Sequence, residues 1–261
     1  MKKILITGAN SYIGTSFENW IKQYGNMYIV DTIDVRNNNW REKIFAGYDS
    51  ILHVAGIAHI KETPENSQLY YKVNRDLAVD IAIKAKKDGV KQFILMSSMS
   101  VYGLDYSNKL ISLDTPLKPK TNYGKSKLEA EKKILSLNDE NFKVIILRPP
   151  MVYGDNSPGN LTKLFKLVRK LHIFPTIKNE RSSITVENLC EEIESLIRFN
   201  QKGIFLPQNN KYMCTYQIVK EQMIKENVKV LYIPIFNPII RMLIGKVGII
   251  TKCFGDLKYE K

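Results

Sequence analysis

Short apolar runs alternate with amphipathic segments along most of the chain. Residues 4–6, 51–56 and 93–96 are largely apolar, which is typical of strands that a parallel sheet buries on both faces. Between these runs, apolar residues recur at helical spacing, for example in the segment that ends at Gly25. Strands that alternate with helices in this way predict an α/β fold with a parallel sheet.

The first apolar run leads into a helix through a glycine turn in which Gly8, Ser11 and Gly14 are evenly spaced. A strand that enters a helix through such a turn presents bare backbone N–H groups to a pyrophosphate. We therefore expect this turn to bind the phosphates of a dinucleotide. The turn residues in this prediction are Gly8, Asn10, Ser11, Tyr12, Ile13 and Gly14.

Two carboxylates near the end of the second predicted strand are candidates for binding the adenosine part of the dinucleotide. Asp31 fits the ribose by its distance from the glycine turn, whereas the stretch Asp34-Val35-Arg36 is similar to one that flanks adenine in a known enzyme family. An acidic residue favours NAD, whereas Arg36 suits the extra phosphate of NADP. The sequence leaves both cofactors open.

The next two predicted strands end in residues that suit a ligand site. One ends in Val54, Ala55 and Gly56, whose small side chains allow close packing against a cofactor. The other ends in Ser97 and Ser98. Because ligands of open parallel sheets bind outside the carboxyl ends of the strands, both serines are expected at the site of the chemistry.

Tyr123 and Lys127, four positions apart, form a candidate acid–base pair. Residues at this spacing share one face of a helix, while Lys125 points away. A nearby ammonium group favours the phenolate and lowers the pKa of a phenol from about 10 towards the range of a general acid or base. The spacing recurs by chance in a lysine-rich chain, so its weight depends on the other motifs.

Composition narrows the classes of protein to which this chain can belong. With 261 residues and 44% hydrophobic content, the chain can bury a large core. The formal net charge of +13 is scattered over many segments, which favours a solvated surface and gives no basis for a nucleic-acid partner. The three distant cysteines indicate neither a disulfide framework nor a metal site.

The chain shows no targeting or membrane-spanning pattern. Its start lacks a signal peptide, and charges interrupt every apolar run before about 18 residues. A cytoplasmic protein without stable membrane insertion is therefore expected. His53, inside the third predicted strand, and His59, just beyond it, are interpreted as structural residues.

These motifs occur in the order found in a known enzyme family. After the glycine turn come Ser98, Val101-Tyr102-Gly103, Tyr123-Gly124-Lys125-Ser126-Lys127 and Leu147-Arg148-Pro149-Pro150. Together they resemble the extended short-chain dehydrogenases, the NAD-dependent epimerases and dehydratases that act on nucleotide sugars. The resemblance, which covers residues 1 to about 200, implies a Rossmann doubly wound parallel sheet, a small C-terminal substrate-binding portion, and NAD or NADP.

The resemblance also implies functions for individual residues. Ser98 would hold the sugar oxygen, Tyr123 would exchange a proton with it, and Lys127 would lower the pKa of Tyr123 while holding the nicotinamide ribose. Asn74 matches a family asparagine in the helix before the serine strand. The remaining residues implied at the cofactor are Val54, Ala55, Gly56, Ser97 and Pro150, and those implied at the substrate are Ser98, Met151, Asn160, Leu161 and Arg181.

Some of these assignments have simpler alternatives. Asn160 and Leu161 match a family pair that lines the nucleotide diphosphate, but an ordinary helix N-cap is an equal alternative. Arg181 matches the arginine that binds the diphosphate, and a surface arginine is the alternative. Met151 stands where many sugar 4-epimerases have asparagine, and the Pro-Pro before it is similar to the capsule and O-antigen subgroup.

The sequence thus predicts hydride transfer at C4 of a UDP-hexose derivative by a 4-keto reductase or a 4-epimerase, for capsule or O-antigen synthesis. The alternative is a non-catalytic NAD(P)-binding regulator or an RNA-binding protein of the same fold, which usually lacks the tyrosine and lysine pair. A UDP-sugar is the expected partner. A homodimer is an expectation from the resemblance alone.

Domain boundaries and one unusual segment complete the predictions. Residues 1–155 are expected to bind the dinucleotide, with 182–206 packing back on them, and 156–181 and 207–261 to bind the sugar nucleotide. The region between the second and third strands looks too short for the extra strand of the family. Residues 235–251 are apolar except for two basic residues, and either close the sugar site, which two prolines favour, or lie on a membrane surface.

Overall fold

The apolar runs form strands, and the amphipathic segments form helices. The computed structural model describes residues 1–58, 60 and 62–261, so the interpretation of His59 lies outside the described residues. The strands are β1 (Lys2–Thr7), β2 (Tyr28–Ile33), β3 (Ser50–His53), β4 (Gln92–Met96), β5 (Lys143–Leu147), β6 (Met151–Tyr153), β7 (Ile173–Pro175), β8 (Ser183–Thr185), β9 (Gly203–Phe205) and β10 (Leu231–Ile233).

The α-helices include the long helix of the candidate acid–base pair. They are α1 (Tyr12–Trp20), α2 (Ser67–Tyr71), α3 (Ala78–Lys87), α4 (Asn122–Leu135), α5 (Asn160–Leu171), α6 (Val186–Arg198), α7 (Thr215–Lys225), α8 (Asn237–Leu243) and α9 (Gly248–Phe254). A π-helical stretch, Lys72–Leu77, joins α2 to α3. Short 3-10 helices span Ile21–Met27, Asn38–Arg41 and Met99–Tyr102.

The chain folds into two compact units. Unit 1 consists of residues 1–103, 116–150 and 185–207, and unit 2 of residues 104–115, 151–184 and 208–261. The sequence analysis placed residues 104–115 with the dinucleotide-binding domain, whereas the structure groups them with unit 2. The reason is pairing across a long sequence distance, since Ser107 N donates to Asp256 O (2.7 Å) and Ile111 N to Lys258 O (2.7 Å).

Unit 1 is built on a six-stranded sheet in the order β2-β1-β3-β4-β5-β9, in which all five pairings are parallel. Strands β3 and β4 are buried throughout, which explains their nearly continuous apolar sequences. The chain passes from β1 to β2 on one side and to β3 on the other. The topological switch point, where ligands of such sheets bind, therefore lies between β1 and β3. This topology confirms the predicted Rossmann-type sheet.

Helices pack on the sheet of unit 1. Leu5, Ile51 and Phe93 point to one face and pack with residues of α3 and α4 in a single buried cluster. Helices α1 and α6 contact each other. The link between α6 and the start of β2 is polar, because Tyr28 Oη donates to Glu194 Oε1 (2.5 Å).

The segment between β2 and β3 is short, in agreement with the sequence analysis. It forms the 3-10 helix Asn38–Arg41 instead of a further strand and helix. Val35, Trp40 and Phe45 turn inward and join the buried cluster. Strand β2 is consequently an edge of the sheet.

Unit 2 has its own small core. Strands β7 and β10 pair in parallel, and β6 pairs with β8. Val168 of α5, Val219 and Met223 of α7, Phe174 of β7 and Phe254 of α9 are buried together. In the described part of the chain, no helix has both the length and the apolar content that a membrane crossing requires.

Candidate active site

The glycine turn after β1 brings two strand ends unusually close together. Gly8 has a φ of +117°, and a Cβ built on it would lie 2.8 Å from the backbone nitrogen of Ala55. Only glycine fits this conformation and this contact. The backbone N–H of Gly8 donates to Ile33 O (3.0 Å), so the ends of β1, β2 and β3 meet at the turn.

Ser11, which stands in place of the middle glycine of the fingerprint, is the N-cap of α1. Its side chain accepts a hydrogen bond from the N–H of Gly14 (3.2 Å). A Cβ on Gly14 would lie 2.6 Å from the Ser11 Oγ, so the serine and the glycine depend on each other. The turn thus keeps a backbone cradle at a helix N-terminus, which fits the pyrophosphate of a dinucleotide.

The structure separates the two candidate ribose carboxylates. Asp34 directly follows Ile33, whose carbonyl accepts the N–H of Gly8, so Asp34 lies at the ligand edge of the sheet. Asp31 lies within β2, paired in register with Leu5, and accepts a hydrogen bond from Tyr48 Oη (2.6 Å). This placement favours Asp34 as the carboxylate at the ribose.

Asp34 already has a cationic neighbour. The Arg36 guanidinium forms an ion pair with the Asp34 carboxylate (2.5 Å), and its hydrogen bonds lower the pKa of Asp34 to about 2. Asp34 is therefore ionised at neutral pH. Val35, between these two residues, points into the core of unit 1, so a contact of this residue with the cofactor would involve its backbone.

Asn74 holds the loop that follows β3. Its side-chain amide accepts from Ile57 N (2.9 Å) and donates to Ile57 O (3.0 Å) and Ser126 Oγ (3.3 Å). A Cβ on Gly56 would lie 2.9 Å from Asn74 Oδ1 and 3.3 Å from Lys127 Nζ. The described contacts of Asn74 are thus to protein groups, and they fix the glycine loop beside the lysine.

Ser98, Tyr123 and Lys127 converge on the carboxyl end of β4. The side chains of Ser98 and Tyr123 are hydrogen-bonded. Lys127 Nζ donates to the carbonyl oxygen of Met96, the last residue of β4 (2.8 Å). The hydroxyl, the phenol and the ammonium group therefore belong to one site at the ligand edge of the sheet, adjacent to the switch point.

Gly124 explains how helix α4 reaches Ser98. A Cβ on Gly124 would lie 2.7 Å from the carbonyl oxygen of Ser100 and 3.0 Å from Pro119 Cβ. The helix therefore packs directly on the 3-10 helix Met99–Tyr102, whose N-cap is Ser98. This close approach, which glycine alone allows, brings the phenol of Tyr123 to Ser98.

The pKa values differ from the expectation that Lys127 lowers the pKa of Tyr123. Burial raises the pKa of Tyr123 above its usual value, and the hydrogen bond from Ser98 opposes this shift. Burial lowers the pKa of Lys127 to about 8, against the opposing charge of Glu131. Desolvation outweighs this charge because the lysine is only 4% exposed.

A buried ion pair lies behind the site and was not predicted. Arg148 Nη2 and Glu131 Oε2 are 2.7 Å apart, and their side chains are 3% and 1% exposed. Arg148 Nη1 also donates to Tyr102 Oη (3.0 Å). Glu131 follows Lys127 by four residues on α4, so its position on the buried helix face was the available signal.

Ser97 contacts this ion pair through its side chain. Its Oγ donates to Glu131 Oε1, and the residue is 3% exposed. The hydroxyl of Ser97 therefore has a buried protein partner, and the binding of cofactor by Ser97 stays a prediction. Successive residues of an extended chain point to opposite sides. The hydroxyl of Ser97 accordingly faces Glu131, whereas that of Ser98 faces Tyr123.

Glu62 caps the N-terminus of α4, which the sequence analysis did not predict. Its carboxylate accepts the backbone N–H groups of Asn122 (3.0 Å) and Tyr123 (3.0 Å), and Thr121 accepts that of Gly124 (3.1 Å). A carboxylate at a helix N-terminus is stabilising. Because Glu62 lies in a loop far from α4 in sequence, no local pattern identifies it as a cap of this helix.

His53 has a structural environment, as predicted. It is fully buried, Nδ1 is 2.7 Å from Thr7 Oγ1, and the ring stacks on Phe93. Burial, reinforced by the charge of Lys127, lowers the pKa of His53 to about 3. The imidazole is therefore neutral at physiological pH.

The predicted substrate residues of unit 2 have well-defined local positions. Met151 begins β6, and Pro150 precedes it as a buried residue of unit 1. Asn160 is the exposed first residue of α5, not its N-cap, and Leu161 is buried. Arg181 Nη1 donates to Gly255 O (2.6 Å), so the guanidinium holds the C-terminal segment.

Comparisons with known proteins agree with this geometry. The model of the NAD dependent epimerase/dehydratase family matches residues 4–191. The UDP-glucose 4-epimerase of Vibrio cholerae is 26% identical over 291 aligned residues, covering 99% of this chain and 87% of that protein. The N-acetyl-alpha-D-glucosaminyl-diphospho-ditrans,octacis-undecaprenol 4-epimerase of Escherichia coli O157:H7 is 28% identical over 208 residues, covering 73% of this chain and 62% of that protein.

Solved structures share the fold. The dTDP-4-dehydrorhamnose reductase of Bacillus anthracis, in complex with NADP, matches with a TM-score of 0.74 and 21% identity, covering 90% of this chain and 84% of that chain. At this identity the likeness establishes the fold, which is the Rossmann-type α/β fold predicted from the sequence.

Gly124→Ala tests the close approach of α4. Alanine normally gains roughly 1 kcal/mol over glycine inside a helix, but the new Cβ would meet the Ser100 carbonyl. We expect a lower free energy of unfolding in urea, and a roughly hundredfold loss of hydride transfer as Tyr123 shifts from Ser98. Gly248→Ala in α9, where a Cβ meets nothing within 4 Å, is the matched control. Unchanged stability and activity in Gly124→Ala would contradict the contact.

Lys127→Met tests the desolvation of the lysine. The pKa of Lys127 falls from 10.5 to about 8 on folding, so between these pH values the unfolded chain binds more protons than the folded protein. The free energy of unfolding therefore rises with pH across this window, by up to about 3 kcal/mol. Urea unfolding at a series of pH values should show this rise in the wild type and not in Lys127→Met. The exposed Lys125→Met variant should behave like the wild type.

Proposed function

The chain belongs to the NAD dependent epimerase/dehydratase family, and from this premise we propose that it transfers hydride at C4 of a UDP-hexose derivative. The observation that supports the proposal is the hydrogen-bonded Ser98 and Tyr123 pair beside Lys127 at the carboxyl end of β4. A non-catalytic dinucleotide-binding or RNA-binding protein would have no use for these groups in this arrangement.

The cofactor is NAD or NADP, which supplies the hydride chemistry when bound. Its pyrophosphate would be held by the backbone of the glycine turn, where the cradle of Gly8 and Gly14 fits, and its adenosine ribose by Asp34. Gly56, where a Cβ would lie 3.3 Å from Lys127 Nζ, keeps the loop backbone close to the ammonium group that would hold the nicotinamide ribose.

Tyr123 exchanges the proton of the sugar C4 oxygen in this proposal. Ser98 donates a hydrogen bond to the same oxygen, and this contact strengthens as charge develops there. The raised pKa of Tyr123 keeps the phenol protonated at neutral pH, which suits delivery of a proton to a keto sugar during reduction. The ammonium of Lys127 stabilises the phenolate that this delivery leaves.

Two reactions share this machinery. The names of the relatives in Vibrio cholerae and Escherichia coli support 4-epimerisation, and 4-keto reduction would use the same Ser98, Tyr123 and Lys127. The proposed context is synthesis of surface polysaccharide, as the lipid-linked sugar in the name of the Escherichia coli relative suggests. Met151, Asn160, Leu161 and Arg181 remain the residues proposed for the sugar nucleotide.

The decisive experiment incubates the purified protein with UDP-hexoses and UDP-4-keto-hexoses, with NADH and NADPH in parallel. Stoichiometric loss of NAD(P)H absorbance with a keto sugar identifies a reductase, and interconversion of C4 epimers with retained NAD identifies an epimerase. Absence of both reactions across the panel would refute the proposal.

Tyr123→Phe should lower turnover in whichever reaction is found by about 10²-fold to 10⁴-fold, because it removes the proton donor. Binding of NADH, followed by its fluorescence, should be unchanged. Tyr24→Phe, in the 3-10 helix Ile21–Met27, is the control and should keep full activity. Full activity in Tyr123→Phe would exclude the assigned proton transfer.

Asp34→Asn should weaken NADH binding about tenfold to a hundredfold, since a hydrogen bond to a charged group contributes about 1.5–3 kcal/mol. It should also raise the preference for NADPH, because the negative charge that repels a 2′-phosphate is lost. Fluorescence titration with both nucleotides measures both effects. Asp31→Asn is the comparison, and weaker NADH binding in that variant alone would show that Asp31 binds the ribose.

A further inference from the structure

Unit 2 presents large apolar side chains to solvent along one short segment. Ile235 is 74% exposed, Ile239 58%, Met242 70% and Ile249 71%. Ile239 and Met242 are three residues apart on α8 and therefore lie on one face of this helix. The outer face of a surface helix is normally polar, so these exposed residues, which we call the apolar ridge, need an explanation.

Packing within unit 2 does not explain why the residues of the apolar ridge are apolar. Ile240 and Ile244 pack against the core of unit 2, as does Ile250 of α9. These residues fix the segment through its inner face. The apolar ridge contributes no buried residue, and α8 itself has none. Exposed apolar surface that folding does not require marks an interaction site.

The charges around the apolar ridge indicate the kind of partner. Arg241, Lys246 and Lys252 lie within the segment, and no aspartate or glutamate occurs between Asn227 and Asp256. Within the described residues, Arg241 and Lys246 form no ion pair, and Lys252 is 3.7 Å from Asp105 with both side chains about half exposed. Basic residues among exposed apolar ones match an anionic bilayer surface, which offers phosphate groups above hydrocarbon.

We propose that the apolar ridge, together with Arg241 and Lys246, docks unit 2 on the surface of an anionic phospholipid bilayer. The side chains enter the headgroup region without spanning the membrane, and the basic residues contact lipid phosphates. The sequence alone favoured closure of the sugar site by this segment. The exposure of the ridge favours the bilayer instead. This inference is independent of the reaction proposed above.

Vesicle flotation of the full chain tests the proposal. One set of vesicles is phosphatidylcholine alone, and the other also contains phosphatidylglycerol. We expect the protein to bind the anionic vesicles more than about tenfold more tightly, because each of the two basic residues contributes about fivefold when it lies near an anionic surface. High salt should weaken this binding.

Two double variants separate the apolar and charged parts. Ile239→Ser with Met242→Ser should lower binding more than about tenfold, since buried methylene groups drive interfacial insertion. Arg241→Gln with Lys246→Gln should remove the preference for anionic vesicles. Ile83→Ser with Lys87→Gln on α3, where both residues are also exposed, is the matched control and should bind like the wild type.

All variants change exposed side chains, and thermal unfolding checks that they fold. The proposal fails if the wild type stays free of both kinds of vesicle, or if Ile239→Ser with Met242→Ser binds as tightly as the wild type. It also fails if light scattering shows a wild-type dimer that this variant converts to monomer without any vesicle binding. A second copy of the chain would then cover the ridge.

Discussion

The candidate site depends on how one helix is held against the ends of two strands. The buried ion pair of Glu131 on α4 with Arg148 after β5 connects helix and sheet, and Ser97 after β4 donates to the same carboxylate. A buried ion pair is costly to desolvate, and its value lies in fixed geometry more than in stability. Here it fixes the rotation of α4, so that Tyr123 and Lys127 face the end of β4.

The same burial that positions the site also sets its chemistry. Desolvation raises the pKa of Tyr123 and lowers that of Lys127 to about 8, so folding moves the two values apart. The phenol therefore stays protonated at a pH at which the ammonium group of Lys127 already begins to lose its proton. His53, at the same depth, is kept neutral and contributes packing and a hydrogen bond with Thr7.

Units 1 and 2 differ in how far their apolar residues are buried. In unit 1, the apolar residues are buried between the sheet and the helices that cover it, and the polar groups of the candidate site lie at the ends of the strands. Unit 2 has a smaller core and leaves the apolar ridge exposed beside Arg241 and Lys246, which form no ion pair within the described residues. Exposed apolar surface of this kind is the basis of the proposed docking on a bilayer.

The sequence by itself determined the parallel sheet, the glycine turn and the shared helix face of Tyr123 and Lys127, because strand period, helix period and turn chemistry are local properties. That Ser98 joins this pair was implied by the family resemblance. Only the tertiary structure decided that Ser97 faces Glu131, that Asp34 and not Asp31 lies at the ligand edge, that Glu62 caps α4, and that residues 104–115 join unit 2. It also showed that burial raises the pKa of Tyr123. Contacts and desolvation of this kind join residues far apart in the chain, and no local spacing encodes them.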